Sequence, residues 1–341
     1  MTAIPPHRWV RLLLGIVAVP LIALAALSSF AWPAARMAPR HLPIAVAGPA
    51  QSVAPLVTTL GKDPGAYDVH VYGGAAPARR AVENRVVYAA LVPSPRGLTV
   101  LTASAASPVV AQQVTTAAMT FAAASAQPPP HVVDVVAADP HDPRQAAFGS
   151  IVLPLVLSGV LGGLIVGSLA VRRAGRVGAL LAVSALAAVA ATAVVQSWLG
   201  VVHGAWWADA GVLGLAVLAV SSLVVGLGLL LGNPGRAVAG ASMVFIGNPF
   251  SAASSAPELL PWPVGDLGSL LPPGAAVQLL RSSAFFHGNG AARPLTVLIV
   301  WTVLGLALLT AAGRHTPTRD TEPDHGAPHP GPGRAGLHVL P

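Results

Sequence analysis

Hydrophobic positions fall into two regimes along this chain. Long apolar windows occupy about Leu12–Trp32, Phe148–Val171, Val177–Trp198, Ala210–Leu231 and Pro294–Ala312. Each comes near or exceeds the roughly 20 residues that cross a bilayer as a helix. A further window starts near Ala237. Over residues 33–147 the pattern changes to short alternation, and charges return. There Pro43–Ala47, Tyr67–Tyr72, Arg85–Val92, Leu98–Thr102 and His131–Val136 read as strands, and Gln51–Leu60, Pro77–Asn84 and Ser107–Ser125 as helices. Strands alternating with helices predict an α/β domain of about 115 residues, large enough for its own core. Pro-rich joints at 127–130 and 139–143 separate it from the second apolar window. The expected fold class is an α-helical polytopic membrane protein with six transmembrane helices and an α/β extracytoplasmic domain inserted between helices 1 and 2. Its parts are an N-terminus 1–10, helix 1 at 11–32, the α/β domain at 33–147, a five-helix membrane domain at 148–313 and a tail at 314–341. The first window exceeds the 7–15-residue core of a signal peptide, which favours an uncleaved anchor. The tail is rich in Pro, Gly and His without apolar periodicity, and is expected to be disordered.

The window that starts near Ala237 is the irregular one. After about eleven positions, which rise roughly 16 Å as a helix and cover half a hydrocarbon core, it meets GNPFSAASSAPELLPW, residues 247–262. Pro249 has no amide hydrogen and frees a carbonyl one turn earlier. Asn248, Ser251, Ser254 and Ser255 offer local polar partners. The spacing predicts a helix kinked here that continues to Ala256 and is stopped by Pro257 and Pro261. Val264–Leu271 then reads as a short amphipathic piece with Asp266 exposed, ended by Pro272-Pro273-Gly274. Pro273 suits the first turn of a second short helix to Phe286, with Val277, Leu280 and Ala284 on one face and Gln278 and Arg281 elsewhere. Neither piece is long enough to span. Residues 257–286, with Glu258 near their start, are therefore expected to form an outer hairpin that is interfacial or re-entrant, shielded by protein where its backbone is irregular. In the second window Gly159, Gly163 and Gly167 recur every four residues, on one helix face, and let another helix approach closely. Whether that helix belongs to the same chain or to a second subunit stays open.

Charged residues make up 9% of the 341 and hydrophobic ones 54%, against roughly 25% charged in soluble proteins. The net charge of +7 is almost all arginine, Lys62 being the one lysine. No basic cluster interleaves with aromatics, so nucleic acid is not an expected partner. The arginines matter for orientation instead. Arg8 and Arg11 precede the first window, Arg172, Arg173 and Arg176 lie between the second and third, Arg236 before the fifth, and Arg314 and Arg319 after the last. The loop at 199–209 has none and is flanked by Trp198, Trp206 and Trp207. Positive loops stay inside and indoles settle at the interface. Both termini are thus expected inside a bacterial plasma membrane and residues 33–147 outside.

Reactive signatures are few. With no cysteine there is no disulfide, thiolate catalysis or cysteine-bound zinc. Lys62 sits in TLGKDP, without the spacing of a phosphate loop. There is no HExxH and no GxSxG, and the glutamates are Glu83, Glu258 and Glu322. Asp139, His141 and Asp142 in ADPHDP suit a polar linker better than a metal site, and His315, His325, His329 and His338 suit a solvated tail. The second, third, fourth and sixth windows hold no ionisable group inside, which weighs against an ion-coupled secondary transporter or pump. No enzymatic activity and no cofactor is expected.

The order of one span, a large outer domain and five further spans, together with GNPFSAASSAPELLPWPVGDLGSLLPPGAAVQLLRSSAFF before the last span, resembles the integral-membrane permeases of type-2 ATP-binding-cassette exporters. Within these it is similar to the branch related to phage infection protein. The resemblance implies a re-entrant outer hairpin over Pro257–Phe286, a homodimer or paired permease, and a separate ATPase docked inside, to which Arg172, Arg173 and Arg176 would be exposed if they are not simply topology anchors. The expected function is export of an amphipathic or lipid-like cargo, with ATP hydrolysis supplied by a separate subunit. The alternative is a non-transporting envelope protein whose outer domain binds a ligand, a cell-wall component or a phage.

Overall fold

The computed structural model describes residues 6–312 except Arg96, with side chains from Gly15 onward. The expectations for residues 1–5 and the tail 314–341 lie outside the described residues. A first helix, α1 (Pro6–Ala35), leads into a five-stranded sheet. Its elements are β1 (Leu42–Ala47), α2 (Ala50–Leu60), β2 (Tyr67–Tyr72), α3 (Ala75–Glu83), β3 (Ala89–Ser94), β4 (Gly97–Thr102), α4 (Pro108–Ala124) and β5 (His131–Asp134). The strand order is β2-β1-β3-β4-β5, parallel throughout except for the β3–β4 hairpin. β1 is apolar on both sides, as a parallel strand covered on both faces must be. Leu42, Ile44 and Val46 face α2 and α4, while Ala45 and Ala47 face α3. α4 starts where Pro108 follows Ser107, whose Oγ accepts from Val110 N at 3.3 Å, a proline-and-serine helix start.

The strand expected at Arg85–Val92 begins only at Ala89. Arg85 takes a positive φ of 59°, which closes α3: Val86 N donates back to Ala81 O at 2.9 Å. Residues 85–88 lead into the strand, with Tyr88 N donating to Pro43 O of β1 at 3.0 Å, while the Arg85 guanidinium and the Tyr88 hydroxyl reach Gln278 and Glu258 of the second half of the chain.

Five helices are long and apolar enough to cross a membrane. These are α1, then α5 (Ala146–Ser150) continued by α6 (Val152–Ser168), α7 (Arg173–Thr192) prolonged by a π-helical turn at Ala193–Trp198, α8 (Trp206–Leu231), and α12 (Ala292–Ala312). α8 is apolar all round and buried along most of its length, touching α6, α7 and α12. It starts before the expected Ala210, because the turn at Gly204-Ala205 already directs the chain into helix. Asp209 therefore lies in its first turn, fully buried beside Gly204 and Ser283, so this span does carry one ionisable group. α7 likewise starts at Arg173, which puts Arg173 and Arg176 in its first turn and leaves only 169–172 as connection.

The fifth apolar window is not a continuous helix. It consists of α9 (Asn233–Ser242), a π-helical turn at Met243–Gly247 and a 3-10 turn at Pro249–Ser251. The expected continuation to Ala256 does not occur: Ala252 has a φ of 53°, a left-handed conformation that ends any helix. After a 3-10 turn at Pro257–Leu259 come α10 (Val264–Ser269) and α11 (Pro272–Phe285), which packs against α8 and α12.

Candidate functional site

The break in the fifth window settles its own hydrogen bonds. A proline at 249 cannot donate to Phe245 O, its partner one turn back. That carbonyl instead accepts from the Ser29 hydroxyl of α1. Asn248 N reaches back to Met243 O at 3.0 Å, closing the π turn, and Ser251 Oγ donates to Asn248 O at 2.7 Å.

The tip of the α10–α11 hairpin packs on this break. A methyl group at Gly247 would lie 2.7 Å from Pro273 Cγ, and Gly268 and Gly274 stand so close to Phe250 O and Gly268 O respectively that no side chain fits. The tip is also low relative to α12. Trp301 Nε1 donates to Leu270 O at 2.8 Å, and Trp301 follows Ala292, the start of α12, by nine residues, about 13 Å along the axis. Both ends of the hairpin insert into the sheet domain. Ala256 and Leu259 belong to the core on the α2–α4 face, and Phe286 to the core on the α3 face. The link after α1 is bound to the same stretch, with Ala38 N donating to Leu259 O at 3.0 Å and Arg40 N to Glu258 O at 2.9 Å.

A polar cluster lies between these anchors. Arg85 Nη1 donates to Gln278 O at 3.0 Å and to Ser282 Oγ, and Nη2 donates to Gln278 Oε1 at 2.6 Å. Its guanidinium sits 5.2 Å from the centre of the Phe286 ring. Arg281, 1% exposed, donates to Gln145 Oε1 at 3.2 Å and Ala253 O at 3.0 Å, and stacks 5.2 Å from the Phe148 ring centre. Tyr88 OH donates to Glu258 Oε2 at 2.8 Å. Burial is the main influence on the titration of all three. It pulls the Arg85 guanidinium down and Arg281 down to about 10, the Arg281 shift being deepened by the Arg85 charge. Burial also pushes the Tyr88 phenol well above its ordinary range, with the Glu258 charge acting in the same sense. Among the described residues neither arginine has a carboxylate at ion-pair distance, although buried charges are ordinarily paired. Beside the cluster opens a cavity of about 430 Å³, between the sheet domain, α10 and the first turn of α12.

Of the residues singled out from sequence, Pro257, Glu258, Pro261 and Asp266 line this cavity, whereas Asn248 and Pro249 form the break and Pro272 and Pro273 the hairpin tip that packs on the break, away from the cavity. Arg281 lies behind, in the cluster. Gly159, Gly163 and Gly167 are elsewhere, buried where α6 crosses α8 of the same chain: Cβ atoms at the first two would come within 2.7 Å of Val220 and Val224 side chains, while Gly167 faces Val225 and Arg236. Arg176 donates to Leu169 O at 3.1 Å, and Arg172 and Arg173 are exposed. Asp139 is occupied by His141 Nδ1 and His203 Nε2, each 3.1 Å away. Asp142 accepts from Phe148 N at 2.8 Å and from Ala147 N at 3.2 Å, starting α5. Among the described residues no group of three or more metal-binding side chains is assembled.

Sequence reasoning missed Arg85, Tyr88, Gln145 and Gln278. The one available signal was that Arg85 and Tyr88 interrupt an otherwise apolar strand pattern.

The chain, 65% helical with five apolar helices and a small sheet domain, has the architecture of a helical membrane protein. Set against known families, curated proteins and solved structures, it matches none.

Proposed function

We propose that this chain is a six-pass permease subunit of an ATP-binding-cassette-type exporter for an amphipathic or lipid-like cargo, with ATP hydrolysis supplied by a separate subunit. It sits in a bacterial plasma membrane, with both termini inside and the sheet domain outside. It works in a pair, with a second copy or a sister permease.

The observation that carries the proposal is the interrupted fifth helix and the hairpin locked onto it. An irregular backbone within a membrane is tolerated where it is covered by protein or lines a cavity, and this one is covered by the hairpin tip, with Pro273 on Gly247 and Gly268 against Phe250 O. The sheet domain grips the hairpin by Ala256, Leu259 and Phe286, so a tilt of that domain is transmitted to Pro272–Pro273 and from there to the break. Orientation draws support from the exposed Trp198 and Trp207, 78% and 76% exposed, at one end of the bundle. Arg172, Arg173 and Arg236 lie toward the other end, where Arg236 Nη2 donates to Gly167 O at 3.3 Å. That asymmetry is the positive-inside pattern.

The test is affinity purification of the full chain from native membranes. Recovery of a Walker-motif ATPase whose hydrolysis drives cargo export from proteoliposomes is the expected result. An envelope protein that merely binds outside would bring down no ATPase, and its deletion would leave cargo flux unchanged.

A further inference from the structure

The cavity beside the polar cluster is lined by charges of both signs that do not neutralise one another. Arg40, Arg85 and Arg293 contribute cations, and Glu258 and Asp266 anions. Among the described residues the ion pairs are His70–Asp68, Arg79–Glu83, His141–Asp139 and His203–Asp139, so none joins these five. Arg40 is committed to the carbonyls of Ala38, Leu259 and Arg36, and Arg85 to α11. Arg293 and Asp266 are exposed on the cavity wall. The Gln278 amide nitrogen on the same wall is buried without a partner among the described residues. Opposite charges that share a cavity without closing on each other leave donors and acceptors for a ligand bearing both signs. The volume, about 430 Å³, falls within the roughly 300–1,000 Å³ of small-molecule sites.

Its surroundings define the rest of that ligand. Trp262 on the cavity rim is 79% exposed, Leu267 and Leu270 of the α10 segment are 49% and 47% exposed, and Trp301 of α12 lies against Leu270. A charged recess thus opens beside a strip of apolar side chains at the level where α12 enters its hydrophobic stretch. Amphipathic indoles favour that level of a membrane.

We propose that this cavity binds the zwitterionic headgroup of a phospholipid. The phosphate lies toward Arg293 and the Gln278 amide, the ammonium toward Asp266 and the Glu258 oxygen that Tyr88 leaves free, and the acyl chains along α10 and α12. As a statement about cargo it rests on the permease assignment. As a statement about a binding site it stands on the cavity.

The test is native mass spectrometry of the full chain in detergent, titrated separately with phosphatidylethanolamine, phosphatidylglycerol and glycerophosphoethanolamine. The wild type is expected to hold phosphatidylethanolamine at least fivefold more tightly than either of the others. Asp266→Asn should erase the preference over phosphatidylglycerol, and Arg293→Gln should weaken both lipids at least fivefold. Both side chains are exposed, and an unchanged unfolding midpoint shows that the variants are folded. Equal retention of the two lipids by the wild type, or binding indifferent to both substitutions, overturns the proposal. Glycerophosphoethanolamine bound as tightly as the lipid overturns the lipid assignment. No ATPase is needed for binding. A chain that keeps this preference but never engages an ATPase refutes the permease assignment and leaves the site standing, whereas ATP-driven export without the preference does the reverse.

Discussion

Tyr88 is one of three tyrosines in the chain, and its phenol is held above the ordinary range first by burial and then by Glu258. An unfolded tyrosine loses its proton near pH 10. Below that pH the two states bind the proton equally, and the Tyr88–Glu258 contact contributes in full. As pH rises past 10 the unfolded chain releases the proton while the folded chain keeps it, so this contribution is lost toward the raised folded value. Absorbance titration at 295 nm should therefore show a tyrosine that ionises late, merging with alkaline unfolding, and Tyr88→Phe should remove that component. If Tyr88→Phe leaves the late component unchanged, the phenol is not sequestered. The neighbouring arginines illustrate the other side of burial. Arg281 is 1% exposed and relies on Gln145, Ala253 O and the Phe148 ring rather than on a carboxylate. Removing its partners would leave a charge in a poorly solvating place, which is costly in proportion to that burial.

At the scale of elements, α6 and α8 meet through glycines. A Cβ at Gly163 would lie 2.7 Å from Val224 Cβ and 2.8 Å from Ser221 O, whereas one at Gly178 of α7 meets nothing within 4 Å. Gly163→Val should destabilise the bundle by about 1–3 kcal/mol through overpacking, and Gly178→Ala should not destabilise it. Thermal unfolding in detergent, followed by circular dichroism, checks the pair, and equal midpoints would refute the seam. The glycine spacing was legible because neighbours on a helix face recur at fixed intervals in the chain. The break at Asn248-Pro249 was legible because proline acts on its own backbone. Its remedy was not, since Ser29 lies 216 residues from Phe245. The same holds for Arg85 and Gln278, 193 residues apart: nothing local marks which polar side chains will meet. The strand expected over Arg85–Val92 starts four positions late for a related reason. A left-handed residue at its start closes α3, and the Arg85 side chain is held by α11, so pairing in register begins only at Ala89.

At the scale of the whole molecule, sidedness is the quantity to measure, and the absence of cysteine supplies a clean background. Ser125→Cys, at the end of α4 in the sheet domain, should react in intact cells with a membrane-impermeant maleimide. Ala174→Cys, in the first turn of α7, should react only after permeabilisation. Labelling of both without permeabilisation, or the reverse pattern, would discard the six-pass arrangement. The sequence resolved the two regimes of the chain because their hydropathy differs so sharply. It did not resolve how they are joined, because the joint is made by a few side chains of ordinary type.

That joint bears on what can be cut apart. The sheet fills one face with Ala256 and Leu259 and the other with Phe286, none of which lies in the first half of the chain. A soluble fragment ending before α5 would keep every strand yet bare two apolar hollows, one on each side. Such an excised piece should clump or gather detergent, and ligand studies on it would report on those hollows rather than on the natural surface. Carrying residues 256–286 along in the same polypeptide would restore the missing lining.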